Sequence, residues 1–317
     1  MIALVTGGAG FIGSHIAEHL VAAGHRVRVF DNFSAGKRAN LSGIAGGQLE
    51  VIEADVRDAP RLEYHMAGCD VVFHQAAVVS VPYSVEHPQE THDVNLQGTM
   101  NVLFAAKRQG VKRIVFAGSA AVYGEDPELP KRETMRESPI SPYGVEKLAS
   151  ELYLRTYEKL HGVESVTLRY FNVFGPRQDP RSPYSGVISI LVDRALRNEA
   201  PTLFGDGNQS RDFVFVRDVV QANLLAATVP GVSGRVYNVG GGRRTTLNEL
   251  VAMLGRVVGR TITPHHGPPR AGDIRDSLAD IGRARTELGY EPRVTVEEGL
   301  AELVAHVQST RETEGKP

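Results

Sequence analysis

Ile2-Ala3-Leu4-Val5-Thr6-Gly7-Gly8-Ala9-Gly10-Phe11-Ile12-Gly13 is the stretch on which the reading of this chain turns. Ile2 to Val5 is a short apolar run with no flanking charge, as expected of a parallel strand buried on both faces. Gly7, Gly10 and Gly13 follow at GxxGxxG spacing, and Ile12, Ile16, Leu20 and Val21 then recur at helical intervals. A strand, a glycine turn and a helix bring a pyrophosphate onto a helix N-terminus, where free N–H groups and the positive end of the dipole meet the anion. A side chain at Gly7 or Gly10 would hold the phosphates off, and one at Gly13 would push the helix away from the strand. The spacing alone is weak and would also suit a merely tight turn. Its place between a strand and a helix makes it a dinucleotide-binding signature.

Signals of strand and helix alternate outward from this turn, which predicts an α/β fold with a doubly wound parallel sheet. Strands are expected at Arg26–Phe30, Leu49–Glu53, Asp70–His74, Arg113–Gly118 and Ser165–Phe171. Helices are expected from about Pro88 to Arg108 and from Tyr143 to His161. Asp31 follows the second strand, 18 residues beyond Gly13. A carboxylate there can accept both ribose hydroxyls of an adenosine and would repel a 2′-phosphate, so NAD is favoured over NADP. His74 reads as a satisfied core histidine.

Beyond Asn172 the pattern loosens into Gly-, Pro- and Asp-rich loops around a helix near Gly186–Arg197 and short strands at Thr202–Phe204 and Phe213–Val216. Tyr237–Val239 reads as a buried strand returning to the first sheet. The expected division is a nucleotide-binding domain over 1–172, rejoined by about 217–240, and a smaller substrate lobe from 173–216 and 241–317. Capping boxes pair Thr246 with Glu249 and Thr295 with Glu298. The polar tail after Gln308 is expected to be disordered.

Of 317 residues, 42% are hydrophobic, enough for a substantial core, and the net charge is −2. That balance offers no basic footprint for nucleic acid. One cysteine, Cys69, excludes an internal disulfide, and with scattered histidines it argues against a metal site. No apolar run is long enough for a membrane span, and the first strand begins at the N-terminus, so a cytoplasmic location is expected.

Ser119 ends the fifth strand, on the edge where such sheets bind ligands. Tyr143 and Lys147, four apart, share one helix face. A phenol with a pKa near 10 is a poor base at neutral pH, but an adjacent ammonium favours the phenolate. Tyr143 can then remove a hydroxyl proton while hydride leaves the carbon, with Ser119 on the same oxygen. An exposed Tyr-x-x-x-Lys pair is common, but a dinucleotide turn in front and a serine at the strand end favour catalysis.

With these motifs, the chain resembles the extended short-chain dehydrogenases/reductases, and within them the UDP-hexose 4-epimerases, from Thr6 to the helix after Thr295. The resemblance implies a Rossmann-type domain, bound NAD regenerated each cycle, a UDP-sugar substrate and a homodimer built on a four-helix bundle. By position it implies NAD contacts from Phe11, Ile12, Asp31, Asn32, Ser34, Ala35, Gly36, Asp55, Val56, Gln75, Ala76, Ala77, Asn95 and Phe171, beside the glycines. It makes Ser119, Tyr143 and Lys147 a catalytic triad that also meets NAD and substrate. Asn172, in Arg169-Tyr170-Phe171-Asn172, would bind the diphosphate with Arg211 and Arg270. Ser80, Val81, Val187, Phe204, Gln209, Asp273 and Ser277 complete the implied substrate contacts.

Departures from relatives matter as well. Dehydratases of this fold carry Thr-Asp-Glu where this chain has Ser119-Ala120-Ala121, and alanines cannot act as acid and base. Many galactose-type epimerases have a lysine at the position of Val79, and a tyrosine at that of Ser277 narrows their sugar pocket. Here the substitutions suggest space for an N-acetyl group, with interconversion of UDP-GlcNAc and UDP-GalNAc, UDP-Glc and UDP-Gal, or both. A UDP-glucuronate epimerase, a net nucleotide-sugar oxidoreductase or dehydratase, and a non-catalytic NAD sensor are the alternatives; the intact triad argues against the sensor.

Overall fold

The structure is a computed structural model that describes residues 1–44, 46–179, 186–268 and 274–314. Its strands are β1 Ile2–Thr6, β2 Arg26–Asp31, β3 Leu49–Glu53, β4 Val71–His74, β5 Arg113–Ser119, β6 Glu164–Tyr170, β7 Asn172–Phe174, β8 Thr202–Phe204, β9 Ser210–Arg211, β10 Phe213–Phe215, β11 Arg235–Val239, β12 Thr245–Thr246 and β13 His265–Gly267. Its helices are α1 Phe11–Ala22, α2 Ala59–Met66, α3 Val81–Glu86, α4 Pro88–His92, α5 Gly98–Gln109, α6 Pro142–His161, α7 Val187–Leu196, α8 Val216–Thr228, α9 Leu247–Val257 and α10 Val296–Glu314.

Seven strands form one sheet in the order β11-β6-β5-β4-β1-β2-β3, and every pairing in it is parallel. Alternation along each strand divides the core between two faces. Ala3, Val5, Phe73, Val115 and Leu168 meet Ile16 and Leu20 of α1 and Val219 and Ala222 of α8. Leu4, Phe30, Val72, Ile114 and Phe116 meet Leu62 of α2, Val102 and Leu103 of α5 and Leu154 of α6. Strand order reverses between β1 and β4, so the crevice that binds ligands in such sheets opens at their carboxyl ends. A third cluster joins α7, α9 and α10 through Ile188, Leu191, Leu250, Leu254, Leu300 and Leu303, and this lobe lies over that edge.

Several expectations need correcting. The helix expected over Pro88–Arg108 is two helices joined by a π-helical turn at Asp93–Gln97. There the carbonyl of Asn95 accepts the Thr99 and Ser150 hydroxyls, at 2.6 and 3.3 Å, and side chains inserted into the ladder widen a turn. The tail after Gln308 is helical through Glu314; Arg311 reaches Asp193 of α7 at 2.6 Å, and extending an existing helix is far easier than nucleating one. On the two helices of the implied four-helix bundle, Leu103 of α5 is completely buried in the chain's own core, whereas Leu152 on α6 is 50% exposed. His74 is a satisfied core histidine, held by the Thr6 and Thr99 hydroxyls at 2.7 and 3.0 Å. Among the described residues no helix is long and apolar enough to cross a membrane, and no cluster could hold a metal ion.

Candidate active site

The carboxyl ends of β1, β2, β4, β5 and β6 open into a cavity of about 1010 Å³. Its wall carries Gly7, Gly10, Phe11, Ile12 and Gly13 from the first turn, and Asp31, Asn32, Ser34, Ala35 and Gly36 from the second. Asp55, Val56, Gln75, Ala76, Ala77, Ser119, Tyr143, Lys147, Phe171, Asn172 and Val187 complete the expected residues that line it.

Local geometry explains the glycines. Gly7 has φ +65°, and a Cβ there would lie 2.7 Å from the Ala76 nitrogen. A Cβ on Gly13 would stand 2.2 Å from the Gly7 carbonyl oxygen. Helix α1 starts at Gly10 with no side-chain cap and no acidic residue in its first turn, so its N–H groups face the cavity uncompensated. At the second strand, Asp31 accepts from the Ala9 and Phe33 amides at 2.9 and 2.8 Å. Burial raises its pKa above the usual carboxylate value, against the pull of those two bonds. Asn32 donates to Asp55 at 2.7 Å, and Arg57 grips the same carboxylate at 2.9 and 2.8 Å, which lowers the pKa of Asp55 to about 2. A backbone cradle, an uncapped helix start and a fixed carboxylate at the second strand fit a dinucleotide.

Toward the middle of the cleft the chain assembles its reactive groups. Ser141 caps α6 by accepting from Gly144, which sets Tyr143 in the first turn. Tyr143 is 9% exposed, and the Ser119 hydroxyl beside its phenol opposes the rise that burial gives its pKa. Lys147 lies one turn on, its Nζ donating to the Ala117 carbonyl at 2.9 Å and sitting 5.9 Å from the centre of the Tyr143 ring. The depressed tyrosine pKa expected from the pairing is absent here. Burial raises Tyr143 above its ordinary value, and the ammonium bonds a backbone carbonyl rather than the phenol. Burial also lowers Lys147, to about 8.

Other expected contacts lie elsewhere. Asn95 does not line the cavity: it is buried, with its amide bonded to both backbone groups of Val78 and to Glu146. Ser80 caps α3, and Val81 begins that helix, off the wall. Phe204, Gln209, Arg211 and Ser277 gather around Ser210 and are not among the residues that line the described cavity. Gln209 donates to the Phe204 carbonyl at 2.6 Å, while its own Oε1 is buried without a partner. Arg270 and Asp273 lie outside the described residues. The wall also contains groups not singled out in the sequence, notably Lys37, which reaches Asp179 at 2.5 Å across the mouth of the cavity. Contacts between distant loops leave no local pattern to read.

The model of the NAD dependent epimerase/dehydratase family matches residues 3–240. The chain belongs to this family. A family member from Mycolicibacterium smegmatis, UDP-glucose 4-epimerase, is 40% identical over 308 residues, covering 96% of this chain and 97% of its own. Among solved structures, a UDP-N-acetylglucosamine 4-epimerase from Methanobrevibacter ruminantium, in complex with UDP-N-acetylmuramic acid, superposes with a TM-score of 0.93. It is 39% identical, and the match covers 97% of this chain and 98% of that one. The UDP-glucose 4-epimerase of Thermotoga maritima with UDP-glucose gives a TM-score of 0.92 at 40% identity, over 98% and 99% of the two chains.

Proposed function

We propose that this family member is an NAD-dependent 4-epimerase of UDP-sugars, working through a transient 4-keto sugar. The observation that carries this reading is the convergence of Ser119, Tyr143 and Lys147 beside a glycine cradle in one cavity. Gly7, Gly10 and Gly13 with the start of α1 would hold the pyrophosphate of NAD, and Asp31 its adenosine ribose. Held there, NAD would supply a reversible hydride acceptor for the sugar C4, so there would be no net oxidation.

Tyr143 accepts the proton of the 4-hydroxyl as hydride leaves C4, and Ser119 donates a hydrogen bond to the same oxygen. Lys147 holds positive charge beside the phenol, which favours the phenolate that this step requires. The 4-keto sugar then presents its opposite face, and the proton returns from Tyr143 to the oxygen. Ala120 and Ala121 supply no acid or base, which weighs against loss of water from the sugar.

The substrates we propose are UDP-GlcNAc and UDP-GalNAc, with UDP-Glc and UDP-Gal also turned over. Val79 on the cavity wall, in place of a lysine, supports this breadth, as do relatives named for each kind of sugar. Val145, Leu152 and Tyr153 leave an exposed apolar stripe on α6, which supports a homodimer through this helix. An NMR time course of the purified protein with each UDP-sugar tests the assignment: the C4 epimer should accumulate to equilibrium, without stoichiometric NADH or a keto or dehydrated product.

A further inference from the structure

Between Tyr143 and Lys147 on α6 stands Glu146, a carboxylate that is only 4% exposed. It lies inside the fold. Its Oε1 accepts the Thr91 hydroxyl at 2.8 Å, and its Oε2 accepts the Asn95 amide at 2.7 Å. The orientation of that amide is fixed independently. Asn95 Oδ1 accepts the Val78 N–H at 2.8 Å, and Nδ2 donates to the Val78 carbonyl at 3.0 Å as well as to Glu146. Glu146 therefore meets donors on both oxygens, the arrangement that suits an ionised carboxylate.

Charge around the reactive pair can be enumerated. On α6 are Tyr143, Glu146 and Lys147 itself. From β4 comes His74, held by two hydroxyls and kept neutral by a burial that lowers its pKa to about 3. From β5 come the Ala117 carbonyl and the Phe116 ring, the latter 4.9 Å from Nζ. Ser119 meets the phenol without charge. Among the described residues, then, Glu146 is the negative group acting on both partners. It holds the pKa of Lys147 up against desolvation, and it raises that of Tyr143 as well. A buried ammonium with no counter-charge would give up its proton near neutrality.

We propose that Glu146 is a positioning residue: its fixed negative charge sets the pH at which the Tyr143–Lys147 pair releases its proton, and its bond to Asn95 secures the cavity wall at Val78. This rests on the catalytic reading of Tyr143 and Lys147. Because the two groups titrate as a pair, loss of the charge moves both limbs of the pH profile in one direction.

The test compares kcat and kcat/KM against pH for the wild type, Glu146→Gln and Thr91→Val, with thermal melting of each. Glu146→Gln should shift the whole profile to lower pH by about one unit. Thr91→Val removes a hydrogen bond but no charge, and should lower the melting temperature without moving the profile. Glu146→Asp, which keeps the charge, should restore the wild-type limbs. An unshifted profile in Glu146→Gln overturns the proposal. So does an equal shift in Thr91→Val, which would make the effect structural. Should Glu146→Gln be too unstable to assay, Glu146→Gln/Lys147→Met decides: recovered folding supports the charge pairing, and unchanged instability overturns it. Absence of epimerase activity in the wild type would refute the assigned reaction; the melting comparison with Lys147→Met still judges the pairing.

Discussion

Lys147→Met is the sharpest perturbation the site allows, because it removes a charge while nearly keeping the volume. Nζ lies 5.9 Å from the centre of the Tyr143 ring. At an effective dielectric of about 20, a unit charge at that separation favours the phenolate by roughly 3 kcal/mol, or about two pKa units. Burial has already raised the tyrosine, and the Ser119 hydroxyl, which opposes that rise, brings no charge to replace the lost ammonium. Turnover near pH 7 should therefore fall by about 10²-fold, since the phenolate population falls in proportion. The pH profile should also change shape. The variant should gain about tenfold per unit as pH rises toward the ordinary tyrosine value near 10. The wild type should instead level off as Lys147 loses its proton above about 8. Initial rates of epimerisation by NMR from pH 6 to about 10, with melting curves to establish folding, provide the comparison. A variant within a few-fold of wild type at pH 7, or a depressed profile parallel to the wild type, would refute the electrostatic role.

Further outcomes follow from the same geometry. Tyr143→Phe should keep NAD and UDP-sugar binding, measured calorimetrically, while turnover drops by about 10²-fold or more; near-normal turnover would remove Tyr143 as the base. Gly13→Ala puts a methyl 2.2 Å from the Gly7 carbonyl oxygen, so α1 must move, and NAD affinity should fall by about tenfold or more in a titration. Light scattering at micromolar concentration should give twice the chain mass of 34.4 kDa, and Leu152→Lys should shift it toward that mass; a wild-type monomer would contradict the proposed interface.

The nucleotide-binding half was legible because its signals are local. A glycine turn between an apolar strand and an amphipathic helix fixes a conformation within a dozen residues, and β1 and β3 fall as expected from sequence. Helix α2 also has a local signal, Asp58 capping it with Pro60 behind, but its apolar pattern is too short to separate it from a loop. The π-helical turn at Asp93–Gln97 was not visible because it depends on Ser150, 55 residues away from Asn95. Glu146 illustrates the same limit. A carboxylate between a tyrosine and a lysine suggests a solvated face, and only the packing of α4 and Asn95 against α6 buries it. The far end of the implied substrate site was the least legible part. Gln209, Arg211 and Ser277 come together around Ser210, but sequence motifs carry no information about how far that cluster stands from the cavity.

The most direct test of the account is an NMR time course of the purified, NAD-loaded protein with UDP-GlcNAc and, separately, UDP-Glc, with absorbance at 340 nm recorded in parallel. The account predicts that the anomeric signals of UDP-GalNAc and UDP-Gal grow to constant ratios with their epimers, and that the absorbance shows no stoichiometric rise. Accumulation of NADH, of a stable keto sugar or of a dehydrated product, or no conversion of any UDP-sugar, would contradict it.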